Sequence, residues 1–249
     1  MSGSGPQHLR GGDQESRVGM GPSLSNPHPL TSDPGPRPVV VAIAGGSATG
    51  KSTLARALAA ELADLRPVIL GQDRYFRDFM EYTPEEREKV RTANSSNALH
   101  WSAFHDALER LRRGQAIQEP VEGTRAFHRG DTAQTIGPAG LVLVEGLFAL
   151  WDERCRAVAD LRLYTEVDDD ERVLRRIHRD ITERGANLEG VIAWFRRDVK
   201  PNFPTYTAAT RRYADLIVPT DRPNDVAIQA LVGAIRTLAT SRRRTGRDD

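Results

Sequence analysis

Val39-Val40-Val41-Ala42-Ile43-Ala44-Gly45-Gly46-Ser47-Ala48-Thr49-Gly50-Lys51-Ser52 is the stretch whose reading decides the fold. Val39 to Ile43 carry no polar face, the pattern of a strand buried on both sides. Gly45 to Ser52 then match the spacing G-x-x-x-x-G-K-[ST]. Glycines there let backbone N–H groups turn inward and approach phosphate oxygens closely. The helix that follows points its positive dipole end at the same place. In this arrangement Lys51 reaches the β and γ phosphates of a nucleotide and the Ser52 hydroxyl holds Mg²⁺. Gly45, Gly46, Ser47, Ala48, Thr49, Gly50, Lys51, Ser52 and Thr53 are therefore the candidate nucleotide-binding residues.

Outward from this loop the chain alternates strand and helix. Leu54, Leu58, Leu62 and Leu65 recur every three or four residues, giving a helix one apolar stripe before Pro67 stops it. Val68-Ile69-Leu70 and Leu141-Val142-Leu143-Val144 read as further buried strands. Leu161 to Val167 alternates apolar and polar residues, and Leu216-Ile217-Val218 is the last strand candidate. Helices are expected at 84–91, 101–113, 169–184, 188–199 and 224–240. The predicted class is α/β: a P-loop NTPase fold with a mainly parallel sheet and helices on both faces.

Residues 1–37 are rich in Gly, Pro, Ser and His and bury too little apolar surface to offset ordering entropy. They are expected to form a disordered tail before a single nucleotide-binding domain at 38–240, with a flexible C-terminal tail at 241–249. Lys and Arg total 35 against 34 Asp and Glu, a net charge of +1. That balance argues against a dedicated nucleic-acid binder. The single cysteine, Cys155, excludes an internal disulfide. Cysteine usage, the lack of an apolar run of roughly 20 residues and the lack of a signal-like N-terminus together predict a cytoplasmic protein with no membrane partner.

Three features outside the loop bear on chemistry. Asp73 lies just past the second strand, at the carboxyl edge where an open parallel sheet binds ligands. It is placed either to accept the proton of an attacking hydroxyl or as an ordinary loop carboxylate. Glu145 ends a buried strand, where a carboxylate is costly unless paired or serving a metal. Mg²⁺ is its natural partner beside such a loop, and helix capping is the alternative. The run Arg175-Arg176-Ile177-His178-Arg179-Asp180-Ile181-Thr182-Glu183-Arg184-Gly185 is basic. Val173, Ile177 and Ile181 are its expected buried stripe, with Arg172, Arg176 and Arg179 on another face. The run is either a solvated helix face or a mobile lid bringing cations over a transferring phosphoryl group. No Asn-Lys-x-Asp element of a guanine switch is present, nor a Leu-Ser-Gly-Gly-Gln transporter signature.

Taken together the chain resembles the uridine kinase family, within the wider uridine kinase and phosphoribulokinase group. The resemblance spans Val39 to about Ala239. It is carried by Gly45 to Ser52, Gln72 to Phe76, Val144-Glu145-Gly146, Arg175 to Gly185, Lys200-Pro201-Asn202-Phe203 and Tyr213 to Pro219. It implies ATP as donor, Mg²⁺ as cofactor and a small-molecule acceptor, and it implies self-association, making a homo-oligomer possible. It makes Asp73 the catalytic base and Glu145 a Mg²⁺-site carboxylate, with Lys51, Arg179 and Arg184 on the phosphates and Arg176 near the acceptor sugar.

The acceptor side departs from that family's pattern. Asn94 stands where the family carries an Asp that holds ribose hydroxyls, and Glu122 stands in place of a Tyr. Phe127 occupies the position of a base-contacting His, with His128 one residue further on; Ala186 replaces an Arg and Trp194 a Gln. Asn94, Glu122, Phe127, His128, Arg176 and Trp194, with Asp73, are thus the expected acceptor residues. Unpaired buried polar groups cost about 1–3 kcal/mol each, so a pocket rewritten in this way discriminates differently. Uridine or cytidine is the leading acceptor. A second reading keeps the chemistry with another ribosylated or polyol metabolite. A third, a nucleotide-binding regulatory protein without turnover, sits poorly with the presence of Asp73, Lys51, Ser52 and Glu145 together.

Overall fold

A computed structural model of the chain describes residues 37–245. The expected N-terminal tail lies outside these residues apart from Arg37. Along the chain the elements are β1 (Val39–Gly45), α1 (Lys51–Glu61), β2 (Pro67–Gly71), α2 (Pro84–Val90), α3 (Trp101–Arg112) and β3 (Ile117–Glu119). Then come α4 (Arg125–His128), β4 (Gln134–Ile136), β5 (Leu141–Glu145), α5 (Glu153–Val158), β6 (Leu161–Glu166) and α6 (Asp169–Thr182). The chain continues through α7 (Leu188–Trp194), a π-helical turn (Phe195–Val199), α8 (Lys200–Tyr206), β7 (Leu216–Pro219) and α9 (Asp225–Thr245).

Every strand expected from the sequence is present. β1, β2, β5, β6 and β7 form one parallel sheet in the order β2-β5-β1-β6-β7. β1 is buried throughout because its alternate residues serve two different layers. Val39, Val41 and Ile43 pack with Leu54, Leu58 and Leu62 of the α1 segment and with Leu231 and Ile235 of α9. Val40, Ala42 and Ala44 face the other side, where Phe104, Leu108 and Leu111 of α3 cover them. Leu58 is fully buried in the first layer, so truncation to Ala would cost about 2–5 kcal/mol.

The expected helix at 188–199 is two pieces rather than one, and a further helix, α8, continues from it. α7 passes into the π-helical turn directly before Pro201, which lacks the N–H that a regular helix would bond to the Arg197 carbonyl. α9 runs on to Thr245, past the tail boundary expected at Ser241. β3 and β4 form a separate antiparallel pair. At three residues each they are too short for alternation to reveal them.

Topology places the site. The connection leaving β1 runs to β2 on one side, while that leaving β5 runs to β6 on the other. The crevice of such a sheet opens at this reversal, beyond the carboxyl ends of β1 and β5.

Candidate active site

Gly45 closes β1 with φ of 148°, and a Cβ there would lie 2.2 Å from Thr165 Oγ1 and 2.6 Å from the Thr165 carbonyl oxygen. Only glycine lets the loop leave the sheet so close to β6. Gly50 takes φ of 79° at the N-terminal cap of α1 and offers no capping side chain. The first N–H groups of that helix therefore face the loop's concavity, ready for an anion. Thr49 faces inward and braces the turn. Its Oγ1 donates to the Gly46 carbonyl at 2.8 Å and lies 2.7 Å from Thr165 Oγ1. The Thr220 hydroxyl donates to the Thr49 carbonyl at 2.7 Å, and Lys51 Nζ donates to the Gly46 carbonyl at 2.7 Å.

Strand register brings the acidic groups beside this loop. Glu145, the last residue of β5, pairs with Ile43 in β1 and with Gly71 in β2. Ser52 Oγ donates to Glu145 Oε1 at 3.1 Å. Asp73 sits in the 3₁₀ turn Gln72–Tyr75 that follows β2. The buried Gln72 fixes that turn by accepting the Phe148 N–H at 2.9 Å. Burial pushes the Glu145 carboxyl above its ordinary range, against the pull of Lys51. Burial pushes the Lys51 ammonium down, against Glu145 and Asp73. Each charge offsets part of the desolvation cost of the other.

Helix α6, the candidate lid, is turned over relative to the expectation from its sequence. Arg172, Arg176 and Asp180 are the buried residues of α6, whereas Leu174 and Ile181 are exposed and Val173 and Ile177 only half-buried. The reason is local pairing. Asp180 Oδ1 accepts from Arg179 at 2.8 Å and lies 3.2 Å from Arg184; Oδ2 lies 3.4 Å from Arg176 Nε. Arg172 stacks on the Phe203 ring with its guanidinium carbon 3.9 Å from the ring centre. Paired and stacked arginines can face inward where lone ones could not. Arg179 also donates to the Ser47 hydroxyl at 3.3 Å, tying the lid to the phosphate loop.

Loop, carboxylates and lid enclose a cleft of about 780 Å³, within the range typical of small-molecule sites. Its wall includes Ser47, Ala48, Gly50, Lys51, Ser52 and Thr53 of the loop and helix α1, together with Asp73, Asn94, Glu145, Arg176, Arg179 and Arg184. Gly45, Gly46 and Thr49 stand behind the loop rather than on this wall. Glu122, Phe127 and His128 are exposed and stand off it. Trp194 is half-buried with the Arg197 guanidinium 4.5 Å over its ring, also away from the wall. Of the expected acceptor residues the cleft thus gathers Asp73, Asn94 and Arg176.

Behind Asn94 is a carboxylate that the sequence did not advertise. Asp198, buried in the π-helical turn, accepts from Asn94 Nδ2 at 2.7 Å, from the Ala93 N–H at 3.1 Å and from the Thr92 hydroxyl. Arg125 supports the same segment, donating to the Thr92 carbonyl at 2.7 Å and the Arg77 carbonyl at 2.9 Å. Burial pushes the Arg125 guanidinium down to about 10. The available signal was a carboxylate seven residues after Val191, on the face that Val191 and Phe195 share.

Residues 40–227 match the family model for the phosphoribulokinase / uridine kinase family. The chain belongs to that family. Among curated relatives, a uridine kinase of Lactiplantibacillus plantarum is 37% identical over 214 residues, covering 84% of this chain and 100% of its own. A uridine kinase of Limosilactobacillus reuteri is 36% identical over 214 residues, covering 84% and 95%. Solved structures agree on the fold alone. A candidate fructose transport system kinase from Silicibacter sp. TM1040 superposes with a TM-score of 0.57 at 22% identity, over 76% of this chain and 93% of that one. A D-glycerate 3-kinase from Cryptococcus neoformans gives 0.52 at 14%, over 75% and 88%. As a member of the phosphoribulokinase / uridine kinase family, the protein is a P-loop kinase of a small molecule. Among the described residues no helix is long and apolar enough to cross a membrane.

Proposed function

We propose that the protein transfers the γ-phosphate of ATP to the 5′-hydroxyl of uridine or cytidine. The observation that carries this reading is the meeting of Lys51, Glu145, Asp73 and the arginine lid around one cleft at the carboxyl ends of the strands. Two of the curated relatives at 36–37% identity over nearly their whole length are uridine kinases, which supports the choice of acceptor.

In this reading the Asp73 carboxylate takes the proton of the attacking hydroxyl as its oxygen bonds to the γ-phosphorus. The bond from that phosphorus to the bridging oxygen breaks, and ADP leaves. Loop N–H groups and Lys51 hold the phosphates, while Arg179 and Arg184 spread over the charge that moves to the leaving oxygen. Arg176 orients the acceptor. Ser52 and Glu145 fit Mg²⁺: both offer hard oxygen atoms, 3.1 Å apart, on a group whose burial favours a cationic partner. When bound there, Mg²⁺ would neutralise charge on the β and γ phosphate oxygens. Among the described residues no cluster of three or more His, Cys, Asp or Glu could hold a metal by itself. One carboxylate plus nucleotide oxygens and water is how Mg²⁺ is commonly held in phosphoryl transfer.

A second reading, another ribosylated or polyol acceptor with the same chemistry, is favoured by Glu122, Phe127, His128 and Trp194 standing off the cleft wall. The test is ATP consumption against nucleosides, sugars and polyols, with Asp73→Ala as control. Turnover of uridine and cytidine, lost in the variant, supports the first reading. Turnover of a polyol alone supports the second. Asp73-independent ATP loss, or none with any acceptor, overturns both.

A further inference from the structure

The geometry points to Asp198 as a positioning residue for the acceptor: it orients the Asn94 amide so that Asn94 presents only its carbonyl oxygen to the substrate. This rests on the phosphotransferase reading above and adds a residue to its acceptor subsite.

An ionised carboxylate has no proton to give. Asp198 therefore only accepts hydrogen bonds, and the Asn94 atom 2.7 Å from its Oδ2 must be the amide nitrogen. The Asn94 carbonyl oxygen then points away from Asp198. Asn94 is buried yet contributes to the cleft wall, and among the described residues no protein hydrogen bond to that oxygen is formed. Without Asp198 the amide could rotate and present either end.

Asp198 is itself held on several sides. Thr92, the Ala93 N–H and Asn94 donate to it, and Asn202 Nδ2 lies 3.4 Å from its Oδ1 while bonding the Asp198 carbonyl at 2.7 Å. Arg176, which shares the cleft wall with Asn94, and Arg125 both lie within the field of Asp198. Both of its carboxylate oxygens are occupied by donors inside the protein. The carboxylate fixes a dipole without facing the cleft, since Asp198 is only 4% exposed and off the wall.

The chemical consequence is selectivity for a hydroxyl donor. Asn94 Oδ1 accepts from a substrate O–H and repels a carbonyl or ether oxygen at the same point. A carboxylate at position 94 would accept in the same way, so Asn94 and Asp198 together supply an acceptor atom while keeping the formal charge a layer deeper.

Three proteins test this: Asp198→Asn, Asn94→Asp, and the exchange Asn94→Asp/Asp198→Asn. Steady-state rates with uridine varied at saturating ATP are expected to show acceptor KM raised about tenfold in Asp198→Asn, and rates with ATP varied at saturating uridine to keep KM for ATP within about twofold of the parent. The exchange is expected to recover most of the loss. In it the amide introduced at position 198 can donate to the carboxylate introduced at position 94, which leaves an acceptor oxygen facing the cleft. Protein labelled with ¹⁵N-asparagine gives a readout that needs no turnover. The Asn94 side-chain NH₂ pair, assigned by its disappearance in Asn94→Asp, should shift in Asp198→Asn while the other labelled side chains stay in place. An Asn94 NH₂ pair that does not move, an acceptor KM that rises no more than the KM for ATP, or an exchange no better than Asp198→Asn alone would each overturn the inference. If the parent protein leaves uridine untouched while the NH₂ pair still depends on Asp198, the choice of acceptor is what fails, and the orientation stands.

Discussion

Thr49 and Thr165 meet hydroxyl to hydroxyl at 2.7 Å inside the protein, joining the phosphate loop to the carboxyl end of β6. Thr165 also donates to the Ala44 carbonyl at 3.2 Å, so one side chain ties β6 to the point where β1 ends and the loop begins. The loop's shape is thus determined from behind as well as by its glycines.

Thr165→Val keeps the volume and removes the hydroxyl. The buried Thr49 hydroxyl retains the Gly46 carbonyl, so the expected loss is about 1–2 kcal/mol of stability. KM for ATP should rise several-fold while acceptor KM holds. Urea unfolding and initial rates check this, and Thr165→Ser should restore both.

Asp180 spaces the lid arginines. Replacing it with Asn removes the charge that Arg176, Arg179 and Arg184 share and adds an N–H facing them. We expect kcat to fall by about tenfold with the fold intact by circular dichroism, because in the proposed reaction the arginines act on the transferring group. An unchanged kcat would mean that they find the phosphates without Asp180.

Glu145 sets a pH dependence of stated sign. Burial raises its carboxyl above the usual range, so if Glu145 holds Mg²⁺ as proposed, the proton competes with the metal at a higher pH than at an exposed carboxylate. As pH falls through that raised value, the apparent KM for Mg²⁺ should climb. Stability of the metal-free protein runs the other way. The folded pKa exceeds the unfolded one, so the group costs stability as pH rises between the two. Glu145→Gln should flatten both trends, measured by Mg²⁺ titration of the rate and by melting temperature against pH.

Cys155, the single cysteine, is 1% exposed. Burial, reinforced by Asp152, pushes its thiol well above the ordinary range. Iodoacetamide at mildly alkaline pH should leave the native protein unmodified and add one label in denaturing urea, read by mass. Rapid native labelling would show that the segment around α5 opens far more often than its burial allows.

The sheet and the nucleotide side of the site were legible because their determinants are local in sequence. A β-branched run followed by a glycine-rich turn and an apolar heptad-like stripe specifies strand, loop and helix within one stretch. Helix α6 was legible in position and not in orientation. Its apolar residues at 173, 177 and 181 predict a buried face by period alone. Arg172 and Arg176 can take the inner face only because Phe203 and Asp180 meet them there. Glu122, Phe127, His128 and Trp194 were placed by family pattern in a region whose path is set by the short β3–β4 pair and the π-helical turn, neither of which leaves a periodic trace.

The sequence by itself determined that a phosphate loop follows a buried strand, and that Asp73 and Glu145 each stand at the end of a strand. Short-range steric rules and the two-residue period of β structure suffice for that. Only the tertiary structure decided which acidic group stands behind Asn94. Asp198 lies 104 residues away along the chain, and its partnership depends on a widened helical turn meeting the segment at Thr92–Asn94. Hydrogen bonds between distant side chains act over about 3 Å. No property of either segment taken alone reveals that they will come that close.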